Sequence, residues 1–485
     1  MLREIKTEAV AEIGPAGLDY WMEGVLRECD HLRRDFAPLP VHDLRVMLRR
    51  CRSIADGFMA FDPHPAWKMM KSESRRLFHQ LGALRDTQVM LEWVRRLAPE
   101  PDEVSRNLRA YLENQEVGQK ENAGEAVLQF NQKKWASWSR ILAGRTRRIP
   151  LESIVFQHLA FERLSEAREL HHRALRNRSQ ADYHRLRIAL KKFRYTQENF
   201  LPSRHGRWGP ELRGLQDLLG EMHDLHVLWR TAVAIRAVRD ERARMRWRQA
   251  ILEETGNRLG KYREKMVGRN SLFFAWFSEL PHSDQLEDAA FARLKTWISY
   301  RDPDMPHSEH VAKLSLQIYD GLESVRLLPA NALPDGRRIV EYAALAHAVG
   351  TGDAAGKPHL TASRLLRKLS PSPGLRAEVL RQIALVVRFH RGSLPRPDRK
   401  ALSGFSEEQR NTLILMCGIL RLADAFDRLH GRRPYPLELR RSGDILCINA
   451  PGYVETGEYA EKLAAARHLL EVSCRLAILI RGSGD

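Results

Sequence analysis

VHDLRVMLRRCRSIADGF (41–58) and YHRLRIALKKFRYTQENF (183–200) align without a gap. His42 stands opposite His184, Arg45 opposite Arg187, Arg49 opposite Lys191, Arg50 opposite Lys192 and Arg52 opposite Arg194. The repeat resumes downstream, where LGALRDTQV (81–89) matches LGEMHDLHV (219–227), placing Asp86 on Asp224, and Arg75 falls on Arg213 at the same offset. Internal repetition of this length marks structural units of similar build. Helical periodicity runs from about residue 16 to 275, punctuated at PLP (38–40), FDPHP (61–65), APEPDE (98–103), RRIP (147–150) and FLPSRHGRWGP (200–210). The expectation is two halves of about four helices each.

On a helix, Val41, Leu44, Leu48, Cys51, Ala55 and Phe58 form one apolar stripe, the core face of a bundle. His42, Arg45, Arg49 and Arg52 follow the same rhythm one residue later, so they flank the core seam in a line about 15 Å long. The second copy repeats both stripes with Tyr183, Leu186, Leu190 and Phe193 and with His184, Arg187, Lys191 and Arg194. Like charges three and four residues apart cost a helix a few tenths of a kcal/mol per pair, so such a row calls for a counter-charge. Asp86 and Asp224 are the internal candidates. A linear polyanion is the external one, met by Arg forks, Lys point charges and His N–H donors. A merely solvated face gives no reason for histidine to head the stripe in both copies.

The wider composition agrees. The chain has 485 residues and a formal net charge of +18, enough length for two or three cores and enough charge to favour polyanionic partners. About +13 of that charge lies in residues 1–280. Cys29, Cys51, Cys417, Cys447 and Cys474 are scattered, with no CxxC pair, which argues against a disulfide framework or zinc knuckle and points to a reducing, cytoplasmic setting. The start, MLREIKTEAVAEIG, has no apolar signal core, and no run of about 18 apolar residues suggests a membrane span. A second boundary falls near ELPHSDQ (279–285), dividing the chain into 1–280 and 281–485. Beyond it, LELRRSGDILCINAPG (437–452) alternates like a strand, followed by a helix over about 457–475 and a strand in RLAILIR.

At the repeated motifs the sequence resembles the CHAD family, the conserved-histidine α-helical domain, over about residues 14–280. The resemblance implies a mainly α fold of two antiparallel four-helix bundles related by a pseudo-twofold. It also implies a basic groove or pore that binds inorganic polyphosphate. By matched position that groove would use His42, Arg45, Arg49, Arg50, Arg52, His184, Arg187, Lys191, Lys192 and Arg194, with Arg75, Arg85 and Arg213 beside them. The second copy departs in one place, reading His223-Asp224 where the first reads Arg85-Asp86. The acidic ExExK strand of a triphosphate-tunnel catalytic domain, a common neighbour of such domains, is not found.

Residues 281–485 resemble the helical HD-type C-terminal domain of the exopolyphosphatase and guanosine-pentaphosphate phosphohydrolase family, with its small α+β finish. HSEHVAKLSLQIYDGL (307–322), EYAALAHAVG (341–350), VVRFHRGSLP (386–395) and LRLADAFDRLH (420–430) carry that likeness. An HD centre needs a first-helix His, an adjacent His-Asp pair and a later Asp to hold divalent ions that activate water. The matching positions are His307, His347, Ala348 and Asp424, with His390 nearby. Alanine cannot ligate, so the domain is read as degenerate, with no metal or other cofactor assigned. His307, His347, His390 and Asp424 are the candidates should an ion bind.

The resulting expectation is a non-catalytic polyphosphate-binding protein, associated with polyphosphate granules, with a homodimer contact through the HD-like region as the family likeness implies. It has no membrane partner and no specific nucleic-acid partner. Two alternatives stand beside it. One is a metal-dependent phosphohydrolase acting on polyphosphate or nucleotides through the residual ligands. The other is non-specific nucleic-acid binding, allowed by the charge but unsupported by a helix-turn-helix, zinc finger or aromatic-studded sheet.

Overall fold

The computed structural model describes residues 17–34, 38–329, 333–351, 356–398, 400–427, 436–453 and 456–482. The chain start MLREIKTEAVAEIG, residues 352–355 of the 350–358 loop, 399 and 428–430 lie outside the described residues. Two compact units form, Met1–Ala289 and Ala290–Asp485.

The first unit contains α1 (Leu18–Arg34), α2 (Pro38–Phe58), α3 (Pro65–Leu97), α4 (Glu103–Leu128), α5 (Gln132–Thr146), α6 (Ile154–Asn177), α7 (Gln180–Phe200), α8 (Pro202–Ala234), α9 (Glu241–Met266) and α10 (Leu272–Ser278). The repeat is visible in helix lengths. The equivalent helices α2 and α7 have 21 residues each, α3 and α8 have 33, and α4 and α9 have 26. Consecutive helices pack on one another from α1 to α4 and from α6 to α10, α5 packs on α1 and α3, and the halves join through α2 on α7 and α3 on α8. Asp102, Ser179 and Asp240 cap α4, α7 and α9 by accepting a backbone N–H three residues on, which satisfies one orphan donor at each start.

The apolar stripes bury as their spacing requires. Val41, Leu44, Leu48, Cys51, Ala55 and Phe58 are all buried, as are Tyr183, Leu186, Leu190 and Phe193. At the α2–α7 crossing Phe58 and Phe200 meet edge to face at 5.8 Å. Gly57 lets them approach, because a Cβ there would lie 2.5 Å from the Phe200 ring. A second shared core joins Leu91, Val94 and Leu108 to Leu225, Leu228 and Trp247, and the Trp247 indole donates to Asp102 at 2.9 Å.

One reading of the sequence is corrected here. FLPSRHGRWGP was read as a break, yet only Leu201 interrupts the helices and α8 runs on through Pro210. Pro202 occupies the first turn, where no N–H is needed. Pro210 forgoes one bond inside a 33-residue helix that the rest of its length holds in place.

The division between units falls inside α11 (Asp284–Ser299). The second unit continues with α12 (Met305–Ser324), α13 (Gly336–Ala346), α14 (Pro358–Arg367), α15 (Ala377–Phe389), α16 (Glu407–Asp427), β1 (Glu438–Ser442), β2 (Ile445–Asn449), α17 (Glu458–Cys474) and β3 (Ala477–Arg481). β1 and β2 form an antiparallel hairpin, and β3 adds to β2 in parallel after the α17 crossover, giving the order β1-β2-β3. The mainly α architecture with a small C-terminal α+β element is thus as the periodicity implied. No described helix is long and apolar enough to cross a membrane.

Candidate functional site

Each basic stripe of the first unit sits half-buried beside its core seam, save for His42, which is exposed. Six of the thirteen candidate residues line one cavity of about 450 Å³: Arg49, Arg85, Arg187, Lys191, Arg194 and Arg213. Both repeat copies contribute, with Arg49 from α2 and Arg85 from α3 facing the others from α7 and α8. Three carboxylates, Asp217, Glu221 and Asp224, also line it, and Tyr195 forms part of the wall. Arg194, Arg49 and Lys191 approach the Tyr195 ring at 4.8, 5.7 and 6.0 Å, so a single aromatic ring gathers three cations.

Crowding of like charge leaves its mark on the cavity. Burial, reinforced by Arg49, Arg187, Arg194 and Arg45, pushes the Lys191 ammonium down to about 7. Burial raises Asp86, although Arg45, Arg187, Arg85 and Lys191 pull it the other way. Asp224 is raised to about 6 by burial, opposed by Arg187 and assisted by Asp86 and Glu221. The repeat-equivalent aspartates therefore lie among the repeat-equivalent arginines, as internal counter-charges that only partly compensate them.

The other seven candidates are placed elsewhere. Arg45 donates to the Phe78 carbonyl at 3.1 Å and lies over the Phe78 ring at 4.3 Å. Burial lowers it to about 10. Arg52 covers the same ring at 4.9 Å. Arg50 reaches across to α7, where it pairs with Glu198, donates to Asn199 Oδ1 at 3.1 Å and lies over Trp21 at 4.9 Å. Lys192 faces Glu166 at 3.3 Å beside a separate cavity of about 280 Å³. Arg75 lies near His79, with Nε 3.4 Å from its Nε2. His42 stands at the exposed head of α2, close enough to Arg45, Arg49 and Arg85 to feel their charge. The His184 ring meets His223 at 4.6 Å, and burial together with Arg187, His184 and His226 pushes His223 down to about 4.

Tyr195, Gln216, Asp217 and Glu221 line the cavity without having been read from the stripe. Two signals were available. Tyr195 follows Lys191 by four residues and so shares its helix face, and Asp217 follows Arg213 by four. Gln216 has a further meaning, because the offset that places Arg75 on Arg213 places Phe78 on Gln216.

Residues 19–233 match the family model of the CHAD domain. The N-terminal unit contains a CHAD domain. Among solved structures, the crystal structure of the CHAD domain from the plant Ricinus communis is similar to this chain at 23% identity, with a TM-score of 0.37, covering 56% of this chain and 90% of that one. No curated protein matches. The CHAD family match covers the cavity-lining residues from α2, α3, α7 and α8 and ends just before the last residue of α8.

The second unit holds its own cluster. His307 on α12, His347 at the C-cap of α13 and Asp424 on α16 converge. His307 Nε2 and His347 Nε2 are 3.1 Å apart, and Asp424 Oδ1 lies 3.7 and 3.6 Å from them. The Nδ1 of His347 donates to the Ala344 carbonyl at 2.6 Å, and the Nδ1 of His307 pairs with Asp427, which also receives His310. His390, the C-cap of α15, repeats the His347 device by donating Nδ1 to the Val387 carbonyl at 2.6 Å. Burial, followed by His347, pushes His390 down to about 3, so it is neutral. Ala348 lines the same pocket as His307, His347 and His390. The side chains fit one ion held by two imidazoles and a carboxylate, and lack the bridging carboxylate that a second ion requires.

Proposed function

We propose that the N-terminal unit binds inorganic polyphosphate in the cavity between α2, α3, α7 and α8, without chemistry. The observation that carries this reading is the convergence of five arginines and one lysine, drawn from both repeat copies, on one cavity lined by only three carboxylates. Arginine forks suit phosphate oxygens, and a row of them reads charge spacing rather than sequence. The cavity size favours a thin, flexible phosphate chain over a duplex about 20 Å wide. Residence at polyphosphate granules follows if the ligand is the long polymer. Ala348, standing in place of an HD aspartate, supports a binding role over hydrolysis for the chain as a whole.

The experiment is a titration of long-chain polyphosphate onto the full-length protein at two salt concentrations, with duplex DNA as competitor. Arg187→Ala combined with Lys191→Ala is expected to weaken binding by at least about 100-fold, since each lost charge-assisted contact is worth about 1.5–3 kcal/mol. It should also flatten the salt dependence, by analogy with counterion release from nucleic acids. Unchanged affinity in the folded double variant, or displacement by DNA at matched phosphate concentration, rejects the reading in favour of a general basic surface.

A further inference from the structure

A hollow of about 330 Å³ opens where the end of α6 meets the turn between α9 and α10. The internal repeat shows how the first half treats the equivalent turn. The offset that places Trp276 on Trp138 also places Phe273 on Trp135 and Gly268 on Phe130. Phe130 is only 3% exposed, its ring 5.2 Å from that of Trp135. The second half keeps the aromatic floor, with Phe273 buried and 6.2 Å from Trp276, but no residue of 267–271 carries a ring. Gly268 has a φ of +99°, where a side chain would be strained, and a Cβ there would meet nothing within 4 Å. The first half closes its turn with its own phenylalanine. The second leaves a hollow.

Its walls are apolar and its charge has one sign. Leu175, Met266, Phe273, Phe274 and Phe277 line it, and Phe274 is 70% exposed. Arg168, His172 and Arg269 line it too, and no carboxylate does. Arg168 lies over the Phe277 ring at 4.6 Å, and neither it nor Arg269 has an ion-pair partner among the described residues. The least exposed polar side chain of the lining is His171, at 3%. The offset that places His184 on His42 places His171 on the buried Cys29, so a polar ring stands at a core position of the first half. Its Nδ1 meets the Tyr262 hydroxyl at 2.8 Å, and its Nε2 has no hydrogen-bond partner. Burial, followed by His172, pushes it down to about 4, so the ring is neutral and Nε2 can make one hydrogen bond.

We propose that this hollow docks an acidic segment of a partner protein, which inserts one tyrosine where the first half uses Phe130. The ring rests on Phe273 and Phe277, its hydroxyl bonds His171 Nε2, and Phe274 covers it from the rim. Arg168, His172 and Arg269 receive the acidic residues that flank the anchor. A buried aromatic anchor carries most of the affinity at such a site, and complementary charge at the rim adds specificity and speed. The volume lies near the low end of the range for ligand pockets, roughly 300–1,000 Å³, and a concave site of that size suits one inserted side chain better than a flat bilayer or a row of stacked bases. No residue is shared with the lining of the polyphosphate cavity, so the two sites stand or fall separately.

The test follows fluorescence anisotropy of short labelled peptides, with a central tyrosine, phenylalanine or alanine between aspartates and glutamates, as the full-length protein is added. The tyrosine peptide is expected to bind at least about tenfold more tightly than the alanine peptide, with the phenylalanine peptide between them. Arg168→Glu combined with Arg269→Glu should abolish binding, and Phe274→Ala should weaken it several-fold; all three side chains are exposed, and thermal melts check that the variants fold. His171→Cys, which restores the residue of the first half, should erase the preference for tyrosine over phenylalanine. Arg187→Ala with Lys191→Ala, in the other cavity, should leave peptide binding unchanged. Equal affinity for the three peptides, or loss of binding in that last variant, would mean that acidity alone is read and overturns the proposal. So would tighter binding of single-stranded DNA or of phosphatidylserine vesicles that disappears with Arg168→Glu and Arg269→Glu, which assigns the surface to nucleic acid or to lipid.

Discussion

The two halves of the CHAD unit carry the same basic stripe and use it differently. In the first half Arg45 and Arg52 lie over Phe78, and Arg45 also donates to that residue's carbonyl. In the second half the position of Phe78 is taken by Gln216, which turns inward to donate to the Leu190 carbonyl at 3.3 Å. No ring stands at that position; Arg187 and Arg194 both line the cavity, Arg194 over the ring of Tyr195 on its own helix. The carbonyl of Leu48, the repeat partner of Leu190, is served in the first half by Ser74 at 3.1 Å. A helix-face charge pattern therefore sets where cations stand along the helix. A neighbour on the next helix decides whether they are parked or presented.

The largest expected contrast is between Arg50 and Lys192, which share one repeat position. Arg50 is tied to Glu198 and Asn199 across the interface between halves. Glu198 would be raised by burial, but Arg50 and Arg194 hold it below the usual carboxylate range. Arg50→Ala leaves that carboxylate to Arg194 at 3.8 Å and is expected to cost about 3 kcal/mol, the low end of the range for breaking a buried pair. Lys192 faces Glu166 with both side chains more than a third exposed, so Lys192→Ala is expected to cost under about 1 kcal/mol. Urea unfolding of both variants measures the difference. Equal losses would mean that the α2–α7 crossing does not depend on the ion pair.

A smaller effect should come from exchanging the residues that separate the halves. Phe78→Gln releases Arg45 and Arg52 and is expected to strengthen polyphosphate binding several-fold, with a stability loss of about 1–2 kcal/mol for a half-buried ring. Gln216→Phe should weaken binding by up to about tenfold, each 1.4 kcal/mol being one such factor, by drawing Arg187 and Arg194 onto a new ring. Titrations of the two single variants suffice. If Phe78→Gln binds no better than wild type, the parked arginines are not a reserve of charge.

Much of this was legible in the sequence because it rests on period. The repeat, the apolar stripes and the strand–helix–strand finish all follow from spacing that a single chain displays. Parking was not legible, since it depends on which side chain of α3 or α8 lies under an arginine of α2 or α7. Pro210 misled because a proline normally ends a helix, and here the surrounding turns outweigh it. In the C-terminal unit His307, His347 and Asp424 were grouped only through the resemblance to an HD-type domain, since their separations of 40 and 77 residues carry no local period. Nothing near Arg391 foretold that its guanidinium would clamp Asp424, 33 positions later. Local rhythm places side chains on faces, and only packing pairs the faces.

The smallest effect, and the finest probe of the open half, is the pH dependence of binding. Lys191 has been pushed down to about 7, mainly by burial and then by Arg49, Arg187, Arg194 and Arg45. Asp86 and Asp224 from α3 and α8 oppose this crowding from the other side. The free protein therefore loses the Lys191 charge as pH rises through 7, whereas an ordinary lysine keeps it to about 10.4. A bound polyanion favours the charged form, so binding should take up a proton and weaken a few-fold between pH 6 and pH 8. Asp224, raised to about 6, adds to the same trend, because above that pH its negative charge competes with the ligand. The protonation of Lys191 is opposed in the folded state and unopposed in the unfolded chain, so stability should rise with pH between about 7 and 10. Lys191→Arg keeps the charge across this range and should flatten most of the binding profile while retaining affinity. Lys191→Met should flatten it at the lower affinity. A profile that stays steep in both variants would assign the proton to Asp224, and one that is flat in the wild type would mean that the cavity holds Lys191 charged throughout.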